Sequence, residues 1–341
     1  MTYQTGSDLL EKLIDEMLEI AGSDDENQRI FHEMMVTVIK LVTDHAEIAD
    51  LKLLNSTFKE LRYSLKIFKD YRDVPKVSVF GSARTKPNDP GYIQAKLFSS
   101  EIAKKGWMVI NGAGPGIMQA AAEGAGRDKA FGVNIRLPFE QKANPIMEAD
   151  KKLINFKYFF TRKLFFLREA KAIVLLPGGF GTLDEGYESL TLVQTGKANP
   201  IPIVLLEGEG SNFWSEWEEF FYKNMIPRNL ISREDVNLFL RTSKVQEAVN
   251  EVINFYKNYH SLRYVNGWVV LRLKKVTDDM LKIANSEFKV MLESGRFEET
   301  EALPEEYNEP ELIELPRIKF RFNQTSFSVL RLLINMLNAE Y

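Results

Sequence analysis

Apolar positions recur at helical spacing through the first part of the chain and then change period. Leu9, Leu10, Leu13, Ile14, Met17 and Leu18 fall on one helical face, with Ser7 placed as an N-cap. After a break at Gly22-Ser23-Asp24-Asp25 the spacing resumes at Ile30, Phe31, Met34, Met35, Val38, Ile39 and Val42. A third stretch runs from about Leu51 to Phe68. Residues 1–73 are therefore expected to form a helical layer over the main domain or a partner subunit. From residue 74 the pattern switches to short apolar runs separated by amphipathic stretches: Lys76–Phe80, Trp107–Ile110, Phe131–Ile135, Ala172–Leu176 and Ile201–Leu205. Near-continuous apolar strands alternating with helices predict an α/β domain over 74–260, with a doubly wound parallel sheet covered on both faces. Over 261–341 the period is again that of half-buried strands. Val269, Leu271 and Leu273 alternate with Val270 and Arg272, and Ile318, Phe320 and Phe322 alternate with Lys319 and Arg321. With helices expected near 277–292 and 325–338, this region reads as a small α+β appendage. Between its halves, residues 293–314 carry nine glutamates and one arginine, which predicts a solvated linker and not a metal site.

A length of 341 residues agrees with two or three folding units. The net charge of −4 argues against a uniformly basic face, so nucleic acid is not an expected partner. The chain has no cysteine, which removes thiolate nucleophiles and cysteine metal sites together. Its three histidines, His32 and His45 in the helical region and His260 in a late connection, do not assemble readily into a triad or a metal centre. No apolar run reaches the ~18 residues of a membrane span. The acidic, polar start does not read as a signal peptide. A cytoplasmic protein without a membrane, metal or cofactor requirement is expected.

Three glycine-rich turns each join a predicted strand to a predicted helix. They are Phe80-Gly81-Ser82-Ala83-Arg84, Asn111-Gly112-Ala113-Gly114-Pro115-Gly116-Ile117-Met118, and Pro177-Gly178-Gly179-Phe180-Gly181-Thr182. Open α/β sheets bind ligands at the carboxyl ends of their strands. Glycines there let backbone N–H groups approach an anion at the positive end of a helix. The candidate anion cradle is Gly81, Ser82, Gly114, Gly116, Gly178, Gly179, Gly181 and the hydroxyl of Thr182. A dinucleotide fingerprint needs glycine where Ile117 stands, and Gly196-Lys197 is followed by Ala198, so neither NAD nor a P-loop nucleotide is favoured. Glu185 lies three residues after Thr182. Thr-x-x-Glu is also a capping box, which is its plain structural role. Arg162 sits in an apolar stretch, Phe159-Phe160-Thr161-Arg162-Lys163-Leu164-Phe165-Phe166, expected to form a largely buried helix. A buried arginine needs a partner, and either a structural Arg–Glu bridge or a substrate clamp satisfies that need.

The motif Pro-Gly-Gly-x-Gly-Thr-x-x-Glu, complete at Pro177, Gly178, Gly179, Gly181, Thr182 and Glu185, resembles that of the LOG (Lonely Guy) family. Arg162-Lys163 matches the family's Arg-Lys pair, and Gly112 to Met118 is similar to its glycine turn ending in Gly-Ile/Leu-Met. The resemblance covers about residues 74–257. It implies a modified Rossmann fold and hydrolysis of a nucleoside 5′-monophosphate, AMP-like or a cytokinin riboside monophosphate, to free base and ribose 5-phosphate. It further implies Arg162 and Glu185 as the catalytic pair, a phosphate held by the glycine turn with Thr182, and a homodimer or larger homo-oligomer. Arg84, Met118 and Lys163 are candidate substrate contacts. Plant-like members carry Met-His-Glu before Arg-Lys where this chain has Phe159-Phe160-Thr161, so the base preference stays open. The family's older label, lysine decarboxylase, finds no pyridoxal-phosphate lysine motif here. A non-catalytic nucleotide sensor on the same fold is the alternative.

Overall fold

A computed structural model describes residues 3–23, 25–137 and 142–341. The chain divides into two compact units, residues 1–62 and 63–341. In the first, α1 (Asp8–Ile20) and α2 (Asp25–Thr43) pack through Ile14, Leu18 and Val36, with Met35 and Ile39 against them. Ser7 takes the N-cap position of α1 in extended conformation, without a capping side-chain bond. Of the expected break between these helices, Asp24 lies outside the described residues. His32 Nε2 joins the two helices at 3.0 Å from Glu11 Oε2, while His45 sits at positive φ in the turn beyond α2. Helix α3 (Ile48–Lys69) runs across the division.

The second unit is built on a seven-stranded parallel sheet. Its strands are β1 (Lys76–Phe80), β2 (Met108–Asn111), β3 (Ala130–Ile135), β4 (Leu153–Phe156), β5 (Ala172–Leu175), β6 (Ile203–Leu206) and β7 (Phe239–Thr242). Their order is β4-β3-β2-β1-β5-β6-β7, a Rossmann-like doubly wound sheet. Five of these strands were expected from apolar runs, whereas β4 and β7 were not. Both are four-residue edge strands, and β7 is mostly half-exposed, so neither carries an uninterrupted apolar run.

Alternation along β1 assigns the two faces. Val77 and Val79 join a core with α4 (Pro90–Lys104), α5 (Ile117–Ala125) and α9 (Val245–Phe255). Helix α5 lies close on α4 because its contact is made of Ala120, Ala121 and Gly124. A Cβ at Gly124 would stand 2.1 Å from the Lys96 carbonyl oxygen. On the opposite face, Phe80 meets Phe166 of α6 (Phe159–Arg168) edge-on, and the Ser78 hydroxyl donates to the Phe166 carbonyl at 2.7 Å. Phe165 stacks on Phe68 and packs against Phe156. Helix α7 (Phe180–Gln194) reaches the sheet through Gly186, against Leu175.

The expectation that α6 is buried on most sides fails in the single chain. Phe165 and Phe166 are core residues, but Phe159, Phe160 and Leu164 are each about half exposed. One side of the helix fits the sheet face and the other projects beyond it.

The C-terminal residues form a four-stranded antiparallel sheet, β10-β11-β9-β8. Its strands are β8 (Tyr259–Val265), β9 (Trp268–Leu273), β10 (Leu292–Thr300) and β11 (Arg317–Phe322). Helices α10 (Asp278–Glu287) and α11 (Phe327–Ala339) pack on it. Tyr256 packs against both this core and the α/β core. His260 lies in β8 and not in a connection. The acidic stretch 293–314 is not a solvated linker. Its first part is the edge strand β10. Glu306, 1% exposed, sits between Arg272 and Arg317 at 2.7 and 3.2 Å. A carboxylate between two guanidinium groups escapes the cost of an unpaired buried charge.

Candidate functional site

The chain leaves β1 outward through β2, β3 and β4 and returns to β5 on the other flank of β1. In open α/β sheets ligands bind at such a reversal, at the carboxyl ends of the strands that flank it, here β1 and β5. All three glycine turns meet there. The Ser82 N–H donates to the Pro177 carbonyl at 3.2 Å, and the Ile117 N–H donates to the Ser82 carbonyl at 3.0 Å.

The glycines divide into two kinds. A Cβ at Gly81 would strike Ile117 at 2.7 Å, one at Gly178 the Thr182 hydroxyl at 2.2 Å, and one at Gly116 the Ser82 carbonyl at 2.4 Å. Gly116 also has φ of +66°. Gly114 accommodates the Met118 side chain. Gly81, Gly116 and Gly178 are required by the way the turns pack on one another, whereas at Gly114 only the tip of a flexible methionine would have to move. Gly179 and Gly181 differ, because a Cβ there meets nothing within 4 Å and neither has positive φ. The polypeptide itself gives no reason for glycine at these two positions. Gly179 caps α7 without a side-chain bond. The first N–H groups of a helix have no intrahelical acceptor and face outward from its start. An anion approaching the α7 N-terminus is the situation that calls for bare backbone there.

Thr182 lies inside α7, 6% exposed, and is not its cap. The capping box is therefore absent, and Glu185 stands in the second turn of the helix. Glu185 is 5% exposed, and its Oε2 has no hydrogen-bond partner among the described residues. Burial raises its carboxyl to about 7, against the opposing fields of Lys163 and Arg162. Arg162 is also desolvated, which lowers its pKa, while the field of Glu185 opposes that. The guanidinium lies between the rings of Phe159 and Phe166, at 5.1 and 5.4 Å from their centroids, and its Nε is unpartnered among the described residues. No Arg162–Glu185 bridge within 4.0 Å is formed among the described residues; the two groups interact through space. Both plain structural roles proposed for Glu185, cap and bridge partner, are thus unfilled. A desolvated carboxylate and guanidinium sit with hydrogen-bonding capacity unused, the condition in which a polar ligand gains most.

Lys163 is engaged otherwise. Its ammonium lies 2.6 Å from Asp184 Oδ2, 2.7 Å from Glu188 Oε2 and 4.0 Å from Glu185 Oε2. Ser82 lies at the β1 turn, where its hydroxyl accepts from the Arg84 N–H at 3.1 Å, and Arg84 itself is exposed. Two asparagines not singled out from sequence brace the second turn. Asn111 Oδ1 accepts from the Ala113 N–H at 2.8 Å, holding that residue at positive φ. Asn144 donates to the carbonyls of Ala113 and Gly114 at 2.7 and 3.2 Å. An asparagine at a strand end before Gly-Ala-Gly was the only available signal for the first, and none marked the second.

Among the described residues no helix is long and apolar enough to cross a membrane. Residues 116–252 match the family model described as "Possible lysine decarboxylase", which is consistent with the LOG resemblance of the motif. No curated protein matches the chain. The molybdenum cofactor carrier protein from Chlamydomonas reinhardtii is 22% identical over 53% of this chain and 96% of its own, with a TM-score of 0.37. The molybdenum cofactor binding protein from the phototrophic bacterium Rippkaea orientalis is 20% identical over 52% and 94%, with a TM-score of 0.37. DNA processing protein A from Helicobacter pylori, a single-stranded DNA binder, is 16% identical over 52% and 80%, with a TM-score of 0.34.

Proposed function

We propose that this chain, whose residues 116–252 match the LOG-family model, hydrolyses the N-glycosidic bond of a nucleoside 5′-monophosphate. The products are free base and ribose 5-phosphate. The observation that carries the reading is Glu185, a buried carboxylate with an unsatisfied oxygen one turn beyond the glycine cradle. In this reading the 5′-phosphate lies on the start of α7, against the N–H groups around Gly179 and Gly181 and the hydroxyl of Thr182. Gly81, Ser82, Gly114 and Gly116 form the wall of the cradle. Phosphate binding there positions the ribose without touching the bond that breaks.

Cleavage of that bond develops positive charge on the ribose. Ionised Glu185 stabilises the oxocarbenium-like state and orients the attacking water, whose oxygen joins C1′ as the base departs with the bond's electron pair. The water's proton passes to Glu185 and then to solvent or the leaving base. The fields of Lys163 and Arg162 oppose the burial that raises Glu185, so that a substantial fraction of the carboxylate is ionised at neutral pH, and Arg162 contacts the substrate. Met118 and Arg84 line the approach. The half-exposed Phe159, Phe160 and Leu164 beside Arg162, with Phe180 94% exposed, support a homodimer that covers this face.

The test is direct. The protein is incubated with AMP, GMP, CMP, UMP and isopentenyladenosine monophosphate, and free base and ribose 5-phosphate are measured. Release from at least one nucleotide is expected. Tight binding of nucleotide with no release from any of the five would replace the enzyme by the nucleotide sensor.

A further inference from the structure

We infer that Lys163 is a positioning residue, a clamp between α6 and α7 that holds Glu185 in register with Arg162 by bridging Asp184 and Glu188. The inference rests on Glu185 being the carboxylate of the proposed reaction. Asp184 and Glu188 are four residues apart on α7 and share one helical face. Glu185 is the inward neighbour of Asp184. Lys163 spans the pair with hydrogen-bonding distances of 2.6 and 2.7 Å, and its side chain is only 14% exposed. The ammonium then stands 4.0 Å from Glu185 Oε2, too far for a hydrogen bond but close enough for its field to be felt.

The charged groups that face Glu185 are Arg162 and Lys163 from α6 and Asp184 and Glu188 from its own helix. Three carboxylates thus crowd one turn of α7. The exposed two occupy the lysine, which prevents it from closing directly onto Glu185. Burial lowers the Lys163 pKa, but the bonds to Asp184 and Glu188 and the field of Glu185 outweigh it and raise the ammonium overall. The lysine therefore stays charged and committed to the clamp. Lys163 is not free for the substrate; it sets the distance between the helices that carry Arg162 and Glu185.

The clamp makes opposite predictions for two variants. Lys163→Met leaves three carboxylates facing one arginine, so the midpoint of the pH–kcat/KM profile should rise by about one unit or more. Asp184→Asn/Glu188→Gln removes two like charges and releases the lysine toward Glu185, so the midpoint should fall. Lys163→Arg should return it toward wild type. AMP is the probe, or whichever of the five nucleotides is cleaved. Independently of turnover, Glu185→Gln is placed in each background, and the pH at which that substitution begins to stabilise the fold is read by urea denaturation. It should move in the same two directions. Midpoints that stay in place in both variants, or a pH-independent kcat/KM plateau that stays at its wild-type value in Lys163→Met, would overturn the inference, since the first denies the charge network and the second leaves a field effect without positioning. Absence of base release in the wild type would overturn the proposed reaction alone, with the denaturation arm still deciding the clamp.

Discussion

Replacing Glu185 by glutamine keeps the shape of the side chain and removes its charge. In the folded protein burial holds the carboxyl up to about 7 from an ordinary 4.5. A folded-state pKa above the unfolded one means that the folded protein binds the extra proton between those values. Stability therefore falls as pH rises from 4.5 towards 7, and the full cost is present above 7. At ~1.36 kcal/mol per unit the ionised carboxylate costs about 3 kcal/mol at pH 8 and under about 1 kcal/mol at pH 5. Glu185→Gln should thus be more stable than wild type by about 3 kcal/mol at pH 8, with most of that gain lost at pH 5. Urea denaturation of both proteins at several pH values measures the difference, provided the slopes agree. The same variant should lose base release while retaining nucleotide binding, which is the stability–function exchange expected of a charge buried for chemistry. A gap that does not change with pH, or a variant less stable than wild type at pH 8, would refute the reasoning and return Glu185 to a structural role.

The two kinds of glycine should separate on substitution. Gly181→Ala should fold as well as wild type, or be stabilised by up to about 1 kcal/mol through helix propensity, yet bind AMP more weakly. Gly116→Ala should lose at least about 1–3 kcal/mol from strain at positive φ, measured by denaturation. AMP should be cleaved with a far higher kcat/KM than adenosine, and equal values for the two would remove the phosphate cradle. Phe160→Glu should weaken self-association and activity together, read by light scattering and turnover across protein dilution. The buried Phe165 and Phe166 are the wrong positions for that test, since changing them attacks the core. A fully active wild-type monomer at low concentration would sink the dimer.

Residues alone made the parallel α/β core legible, because central strands buried on both faces must be apolar at every position and their helices must be amphipathic. The clustering of three glycine turns was readable for the same kind of reason: only glycine permits such close backbone approaches at strand ends. The Pro177–Glu185 motif carried the family resemblance without any coordinates. What stayed hidden depended on neighbours distant in sequence. Edge strands β4 and β7 are defined by the strand they pair with and need no strong pattern of their own. Glu306 is buried because Arg272 and Arg317 come to it from β9 and β11, which turns an apparent solvated run into an edge strand and an ion cluster. Helix α6 looked apolar all round, but sheet geometry covers only one of its sides. The surroundings of Glu185 also came only with the tertiary structure, which shows neither a capping box nor a close bridge to Arg162 among the described residues. Thr182 falls inside a helix that starts at Gly179, Arg162 lies between two phenylalanine rings, and Lys163 is held by Asp184 and Glu188. The rings about Arg162 stand on its own helix, at i−3 and i+4, whereas the partners of Lys163 come only from the packing of α6 beside α7, which no local pattern of residues encodes.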